Sequence, residues 1–447
     1  MASDLPAGPE FGPQADVVAE DRPGRGVSRR GLLGAAGAGA AGLGVGVAAG
    51  FGLGSHPDVA AGSAVAAGSA TYPFYGEHQA GIVTPAQDRL HFAAFDMVSD
   101  DRDDLISLLQ DWTAAAARMT QGRDAGPFGA TSGPYEAPPD DTGEAIGLPP
   151  AGLTITFGFG PSLFRQAGRD RFGIAERQPA ALRRLPHFPG DNLDADRSDG
   201  DLCIQACSDD PQVAVHAIRN LARIAFGRAA IRWSQLGFGR TSSTSTSQAT
   251  ARNLFGFKDG TMNLKAEEPA LVDQHVWTAP PAVAKEAWLA GGSYLVARRI
   301  SMTIEIWDRQ PLSEQERVIG RNKAVGAPLS GGGEFSQPDF TLTGANDQPL
   351  VDPEAHVRLV HPSQNGGVQM LRRGYNFVDG SNGLGRLDAG LFFLAYVCDP
   401  RTHYIPVQTK IARNDAMSEY LQHTGSALFA IPPGVSQGGY LGQALFA

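Results

Sequence analysis

Cysteine is scarce in this chain of 447 residues, which contains only three. Cys203 and Cys207 fall in a segment with the pattern of a β-strand, so their side chains share a face but lie roughly 13 Å apart. A disulfide requires a much shorter separation. Because Cys398 is the odd third cysteine, the sequence predicts neither a disulfide framework nor a cysteine-based metal site.

Positive charge is also in short supply. The chain has 37 Lys and Arg against 47 Asp and Glu, a formal net charge of -10, and no dense basic cluster. Because nucleic acids bind to basic surfaces, this balance argues against a nucleic-acid partner. A hydrophobic content of 42% and a charged content of 19% are typical of a globular protein with a buried core.

The chain lacks a long run of strongly hydrophobic residues. The uncharged stretch 31–54 consists mainly of Gly and Ala, which contribute little to membrane insertion. Paired arginines precede it in Ser28–Leu33, a pattern typical of a twin-arginine export signal. We therefore interpret residues 1–70 as a disordered N-terminus followed by this signal, and we expect a periplasmic or secreted protein. An uncleaved signal acting as a membrane tether is the alternative.

After residue 70 the hydrophobic patterns give the order β-α-β-β-α-β, and the second half repeats the theme. This order is typical of a ferredoxin-like antiparallel sheet with helices on one face. The sequence thus predicts an α+β fold of two ferredoxin-like units with antiparallel sheets, of the dimeric α+β barrel type. A Ser/Thr run at 241–247 separates a domain at 71–240 from a domain at 241–447. Predicted strands are 90–98, 153–159, 202–207, 230–236, 293–306, 390–397 and 427–431, and predicted helices are 100–119, 211–224, 313–321 and 411–421.

A short loop bracketed by glycines is the first candidate for a functional site. Gly256 and Gly260 allow the backbone to bend sharply, so the loop can hold the Asp259 carboxylate in one place. Leu254 and Phe255 make the approach apolar. An ordinary surface turn is the alternative, since Lys-Asp-Gly is also a common turn sequence.

A second candidate stretch carries histidine and arginine in apolar surroundings. His356 and His361 are both candidate haem ligands, because a neutral ring nitrogen can bind haem iron. Arg372 or Arg373 can hold negative charge that develops on an oxygen, and Asp259 can move a proton. Without further information, the two arginines could also be a solvated pair at the start of a strand.

Four short motifs occur in order along the second half: Gly256–Gly260, of the form Gly-x-x-Asp-Gly, then Ala355–Arg358, Leu371–Tyr375 and Asp388–Phe393. Together they resemble the dye-decolourising peroxidase family, and within it the exported branch that includes the deferrochelatase/peroxidase component of bacterial iron uptake. The resemblance covers most of residues 72–447.

The resemblance implies a haem b cofactor with His356 as the proximal, metal-binding ligand. It implies catalytic roles for Asp259 as the distal acid–base residue and for Arg372, with Arg373 as the alternative. Further expected haem contacts are Gly260, Thr261, Met262, Arg321, His361, Pro362, Ser363, Leu391 and Phe393. The chain departs from many relatives at Gly374, where they carry Asn, so any role of that Asn is absent here.

The implied activity is an exported peroxidase that uses hydrogen peroxide to oxidise dyes and other bulky aromatic reductants. Because a carboxyl group in a model peptide has a pKa of about 4, a carboxylate base predicts an acidic pH optimum. The first alternative is a deferrochelatase that removes iron from haem and leaves the porphyrin intact, with haem as substrate and iron-uptake components as partners. The second is a non-enzymatic haem-binding protein. The resemblance also favours a homo-oligomer.

Overall fold

The computed structural model describes residues 70–447, and every structural statement below concerns this range. The predicted twin-arginine signal and its alternative, a membrane tether, lie outside the described residues. Within residues 70–447, none of the helices combines the length and the apolar character needed to span a bilayer.

The first half of the described chain forms four antiparallel strands covered by two long helices. The strands lie in the order β2-β3-β1-β4, which is the ferredoxin-like arrangement expected from the sequence. The elements are β1 (Arg89–Met97), α1 (Arg102–Met119), β2 (Thr154–Phe159), α2 (Pro161–Phe164), β3 (Leu202–Ser208), α3 (Pro211–Ile224) and β4 (Ala229–Arg240).

The second half repeats this arrangement with shorter helices. Its strands lie in the order β9-β5-β8-β7, with β6 paired to the other end of β8. The elements are α4 (Pro269–His275), β5 (Ser293–Met302), α5 (Ile304–Trp307), α6 (Leu312–Ile319), α7 (His356–Val360), β6 (Leu371–Arg372), β7 (Tyr375–Ser381), β8 (Leu387–Val397), α8 (Pro400–His403), α9 (Ile405–Asn414), β9 (Leu421–Ile431) and α10 (Gln443–Phe446).

The two sets of strands join edge to edge into one closed antiparallel sheet. Strand β2 meets β9 where Phe159 pairs with Ala430, and β4 meets β7 where Phe238 pairs with Asn376. Inside, Phe92 from β1 packs against Phe392 from β8, with ring centroids 5.4 Å apart. The predicted α+β fold class is therefore confirmed.

Alternation along the strands separates this interior core from a second core under the helices. On β1, Phe92 points inward whereas Phe95 packs against Trp112 of α1 at 5.3 Å. Helix α1 begins after Asp101, whose side chain accepts from the backbone N of Asp103. Buried residues of both halves contribute to each core, so the sheet couples the two halves.

Several predicted segments differ from the structure at their ends. The predicted strand 293–306 ends at Met302, because Ile304–Trp307 turns into a short helix that buries Trp307. The predicted helix 411–421 covers only the end of α9, and β9 already begins at Leu421. Strand β7 was not predicted. Its last four residues are all exposed, and three of them are polar residues or glycine, so they do not show the pattern of a half-buried strand. The domain boundary at 240/241 falls at the end of β4 and stays a prediction.

Two of the predicted helices, α1 and α3, match the structure closely. Helix α3 has the predicted bounds, and it begins after Asp210, whose side chain accepts from the backbone N of Gln212. All three cysteines are free, as expected, and Cys203 and Cys207 are buried in β3.

Because of His91, we expect the free energy of unfolding to decrease in acid. It lies on the helix-facing side of β1, its Nδ1 is buried without a hydrogen-bond partner in residues 70–447, and burial lowers its pKa to about 4. Because the unfolded chain binds a proton more readily, this histidine costs stability progressively as the pH falls from about 6.5 to about 4.

Wild type loses unfolding free energy over this pH range, and we expect His91→Leu to lose about 2 kcal/mol less. Urea unfolding at about pH 6.5 and about pH 4 measures the difference, with His187→Leu at an exposed position as the control. An equal acid dependence in wild type and His91→Leu would contradict the prediction.

Candidate active site

A cavity of about 290 Å³ lies in the second half of the chain. Its walls come from the loop after Gly256, from strands β5, β6, β8 and β9 and from helices α7 and α9, with Pro189 and Gly190 as the contribution of the first half. Most of the lining is apolar. Every predicted site residue except Ser363 lines this cavity: Asp259, Gly260, Thr261, Met262, Arg321, His356, His361, Pro362, Arg372, Leu391 and Phe393.

Two glycines shape the loop that carries Asp259. Gly256 and Gly260 have φ angles of 81° and 84°, in the left-handed region that favours glycine. A Cβ on Gly260 would also lie 2.8 Å from the Cα of Ser242, so no side chain fits there. The backbone N of Asp259 donates to Ala251 O at 2.9 Å, which ties the loop to the preceding segment.

Asp259 and Arg372 form an ion pair inside the cavity. Arg372 Nη1 donates to Asp259 Oδ1 at 2.7 Å. Asn263 holds the backbone of Arg372 from both sides: its Oδ1 accepts from Arg372 N at 2.7 Å, and its Nδ2 donates to Arg372 O at 2.9 Å. The carboxylate and the guanidinium are therefore fixed relative to each other before any ligand binds.

The adjacent arginine points away from the cavity. Arg373 is completely buried and donates through Nη1 to Thr84 O at 2.6 Å, and its Nη2 bonds to Gln87. Neighbouring residues of an extended chain project to opposite sides, so only one of the two arginines can reach the cavity. The structure places Arg372 there and gives Arg373 a role in anchoring residues 82–87.

His356 offers a free ring nitrogen to the cavity. It is the first residue of α7, and its Nδ1 lies 2.6 Å from Asp415 Oδ2. Burial lowers the pKa of His356, but the Asp415 carboxylate, together with that of Asp259, more than offsets it, so the pKa lies above its ordinary value. An ionised carboxylate accepts at Nδ1, which leaves Nε2 without a hydrogen bond in the described chain. This arrangement orients an imidazole for metal binding.

The rival ligand His361 has both ring nitrogens occupied. Its Nδ1 lies 2.9 Å from Ser363 Oγ and its Nε2 lies 3.3 Å from Gln337 Oε1. Burial and the nearby Arg321 lower the pKa of His361. Ser363 does not line the cavity but contacts His361, which does.

An unpaired cationic group completes the lining. Arg321 is 4% exposed, and its Nη1 donates to Gly326 O at 2.7 Å and Glu334 O at 2.8 Å, whereas its buried Nη2 has no partner among residues 70–447. A buried guanidinium nitrogen without an acceptor fits an anionic ligand group.

The donor set fits haem rather than a metal ion bound by protein ligands alone. Across residues 70–447 no group of three or more His, Cys, Asp or Glu side chains is arranged to hold a metal ion. Haem brings four nitrogen ligands of its own and needs one axial histidine from the protein. Together, the apolar walls, His356 Nε2 and Arg321 Nη2 match its ring, its iron and a propionate.

Three site residues were not predicted from the sequence. They are Asn253, which donates from Nδ2 to Asp259 Oδ2 at 3.2 Å, together with Asn263 and Asp415. Asn253 and Asn263 flank the predicted loop and gave a local signal. Asp415 lies far from His356 in the sequence and gave none.

Comparison with known proteins shows which family the chain is similar to. The N-terminal and C-terminal profiles of the Dyp-type peroxidase family match residues 79–239 and 250–436. The chain is 37% identical over 378 residues to a deferrochelatase from Shigella boydii serotype 4, covering 83% of this chain and 86% of the relative. A deferrochelatase from Yersinia pseudotuberculosis serotype I is 36% identical over 379 residues, covering 83% of this chain and 84% of that protein.

Solved structures show the same fold. Ferric DtpA from Streptomyces lividans has a TM-score of 0.77 at 41% identity, covering 85% of this chain and 98% of that one. A DyP-type peroxidase from Cellulomonas bogoriensis has a TM-score of 0.74 at 37% identity, covering 85% and 98%.

Fold and site together define a haem-binding oxidoreductase. The chain belongs to the Dyp-type peroxidase family.

Proposed function

We propose that this enzyme is a haem b peroxidase that uses hydrogen peroxide to oxidise dyes and other bulky aromatic reductants. The observation that carries the proposal is the 2.7 Å contact between Arg372 Nη1 and Asp259 Oδ1 in the cavity to which His356 presents Nε2. A protein that only stored haem would not need this proton acceptor and fixed positive charge. Family membership supports the same reaction class.

Asp259, Arg372 and Asn263 have different roles in this reaction. When bound, haem supplies an iron that binds peroxide and accepts its oxidising equivalents. Asp259 Oδ2 takes the proton from one oxygen of hydrogen peroxide and returns it to the other, so that the second oxygen leaves as water. Arg372 stabilises the negative charge that develops while the bond between the oxygens breaks. Asn263 keeps Arg372 in place by holding its backbone.

A second candidate function is deferrochelatase activity, because the relatives that are 36–37% identical carry that name. An apolar cavity in which Arg321 Nη2 has no partner among the described residues 70–447 would hold a porphyrin whether or not iron is present. We propose that any such activity serves iron uptake together with other uptake components.

Product analysis separates the two functions. We expect the purified protein to oxidise an anthraquinone dye only when hydrogen peroxide is present, and to leave added haem unchanged when it is absent. Chromatography of the extracted pigment measures haem and iron-free porphyrin, with haem incubated without protein as the control. Accumulation of iron-free porphyrin without dye oxidation would contradict the peroxidase and establish the chelatase.

We also propose export by the twin-arginine route, which the arginine pair in Ser28–Leu33 supports. Replacing Arg29 and Arg30 by Lys tests this. Export of the double variant at the wild-type level would exclude the route.

A further inference from the structure

Asn253 lies beside Asp259 in an orientation that its hydrogen bonds determine. Its Oδ1 accepts from the backbone N of Phe255 at 3.0 Å, and its Nδ2 donates to Asp259 Oδ2 at 3.2 Å. Because a backbone N–H can only donate, the side-chain atom that faces Phe255 must be the oxygen. The amide NH2 group therefore faces the carboxylate.

The backbone of Asn253 is held as well. Its N donates to Phe257 O at 3.1 Å, and its O accepts from the backbone N of Gly256 at 2.9 Å. Both ends of the Asn253 side chain and both backbone groups thus take part in one closed turn that ends at Asp259. Such a turn can hold the amide at a constant distance from the carboxylate.

Two side chains bond to the Asp259 carboxylate in the described chain. Arg372 of β6 takes Oδ1, and Asn253 takes Oδ2. Among other charged groups nearby, His356 of α7 is close enough to interact electrostatically with Asp259. The Lys258 ammonium, next in sequence, is paired with Glu334 instead. The Asn253 amide is therefore the neutral donor on the oxygen that Arg372 leaves open.

We propose that Asn253 is a positioning residue for Asp259. Its amide fixes the plane of the carboxylate, because Asn253 Nδ2 donates to Asp259 Oδ2 while Arg372 Nη1 donates to Oδ1. Asn253 thereby keeps Asp259 Oδ2 in the orientation in which it accepts a proton from peroxide. This inference rests on the proposed function.

The variant Asn253→Asp removes the amide donor but keeps the side-chain oxygen that the turn requires. The variant keeps an oxygen acceptor for Phe255 N but places a second carboxylate against Asp259 Oδ2. Two carboxylates in contact resist ionising together, so the proton is held to a higher pH. We expect the acid limb of the kcat/KM profile for hydrogen peroxide to move up by about one pH unit. A side chain at position 253 that does not contact Asp259 would leave the profile unchanged.

Asn322→Asp is the matched control. Asn322 has the same pattern elsewhere, since its Nδ2 donates to Glu316 Oε1 at 3.1 Å and its Oδ1 accepts from Val325 N at 3.1 Å. It does not line the cavity. We expect this variant to keep the wild-type pH profile although it carries the same chemical change.

Urea unfolding of the haem-free protein supplies a readout that does not depend on activity. We expect Asn253→Asp to be less stable relative to wild type at about pH 7 than at about pH 4, because the two carboxylates repel each other only when both are ionised. The same stability relative to wild type at both pH values would overturn the inference, since it would show that position 253 does not contact the Asp259 carboxylate in the folded protein.

Asp259→Asn, measured in parallel, separates this inference from the proposed function. If that variant is inactive while the Asn253→Asp profile superimposes on wild type, the role of Asn253 is wrong and the peroxidase mechanism stands. If Asp259→Asn keeps wild-type activity, the proposed mechanism is wrong. An upward shift of the acid limb in Asn253→Asp but not in Asn322→Asp supports the inference.

Discussion

Asp259→Asn is expected to lower kcat/KM for hydrogen peroxide by about a thousandfold while haem stays bound. Asparagine preserves the shape of the side chain and can still contact Arg372, but it cannot take up a proton at the working pH. The peroxide proton then loses the acceptor that is paired with Arg372, and the leaving oxygen loses the same group as its proton donor. Steady-state kinetics with a dye reductant measure the loss, and the haem absorption band confirms cofactor content.

Asp352→Asn is the matched control for this variant. Asp352 also pairs with an arginine, Arg317 Nη1 at 2.8 Å, but lies outside the cavity. The control should retain wild-type kcat/KM. A thousandfold loss of kcat/KM in both variants would show that replacing any paired aspartate damages the enzyme. Wild-type kcat/KM in Asp259→Asn would show that Asp259 has no part in the mechanism.

His356→Ala is expected to weaken haem binding by at least about a hundredfold. The substitution removes the ring nitrogen presented to the cavity and leaves the Asp415 carboxylate without its partner. Asp415→Asn should have a smaller effect of about tenfold, because it disturbs only the orientation and basicity of the histidine. Haem titration of the haem-free proteins measures the dissociation constants.

His361→Ala tests the rival ligand in the same titration. Since both its ring nitrogens are already bonded to Ser363 and Gln337, this variant should bind haem within about threefold of wild type. A larger loss in His361→Ala than in His356→Ala would reverse the assignment of the ligand.

Local patterns in the sequence predicted the ferredoxin-like order of the first half well, whereas strand β7 of the second half was missed. Helix α3 carries its own N-cap and apolar face, so its bounds follow from residues within one segment. Closure of the sheet could not be predicted in this way. Strands β2 and β9 meet through a single pair, Phe159 with Ala430, which leaves no pattern in either strand.

The same distinction applies to the cavity. The glycines around Asp259 mark the loop because the required backbone conformation is a local property. The choice between Arg372 and Arg373 depends on which face of a two-residue strand points inward, and neighbouring residue types do not determine that face. Asp415 lies 59 positions from His356, so only the fold brings them together.

The absorption spectrum before and after one equivalent of hydrogen peroxide tests the central claim most directly. Purified wild type, His356→Ala and Asp259→Asn are compared at equal protein concentration. The account predicts a haem band in wild type that changes rapidly on adding peroxide, a band in Asp259→Asn that changes far more slowly, and little or no haem in His356→Ala. A wild-type protein that cannot bind haem, or a band that responds equally fast in Asp259→Asn, would contradict it.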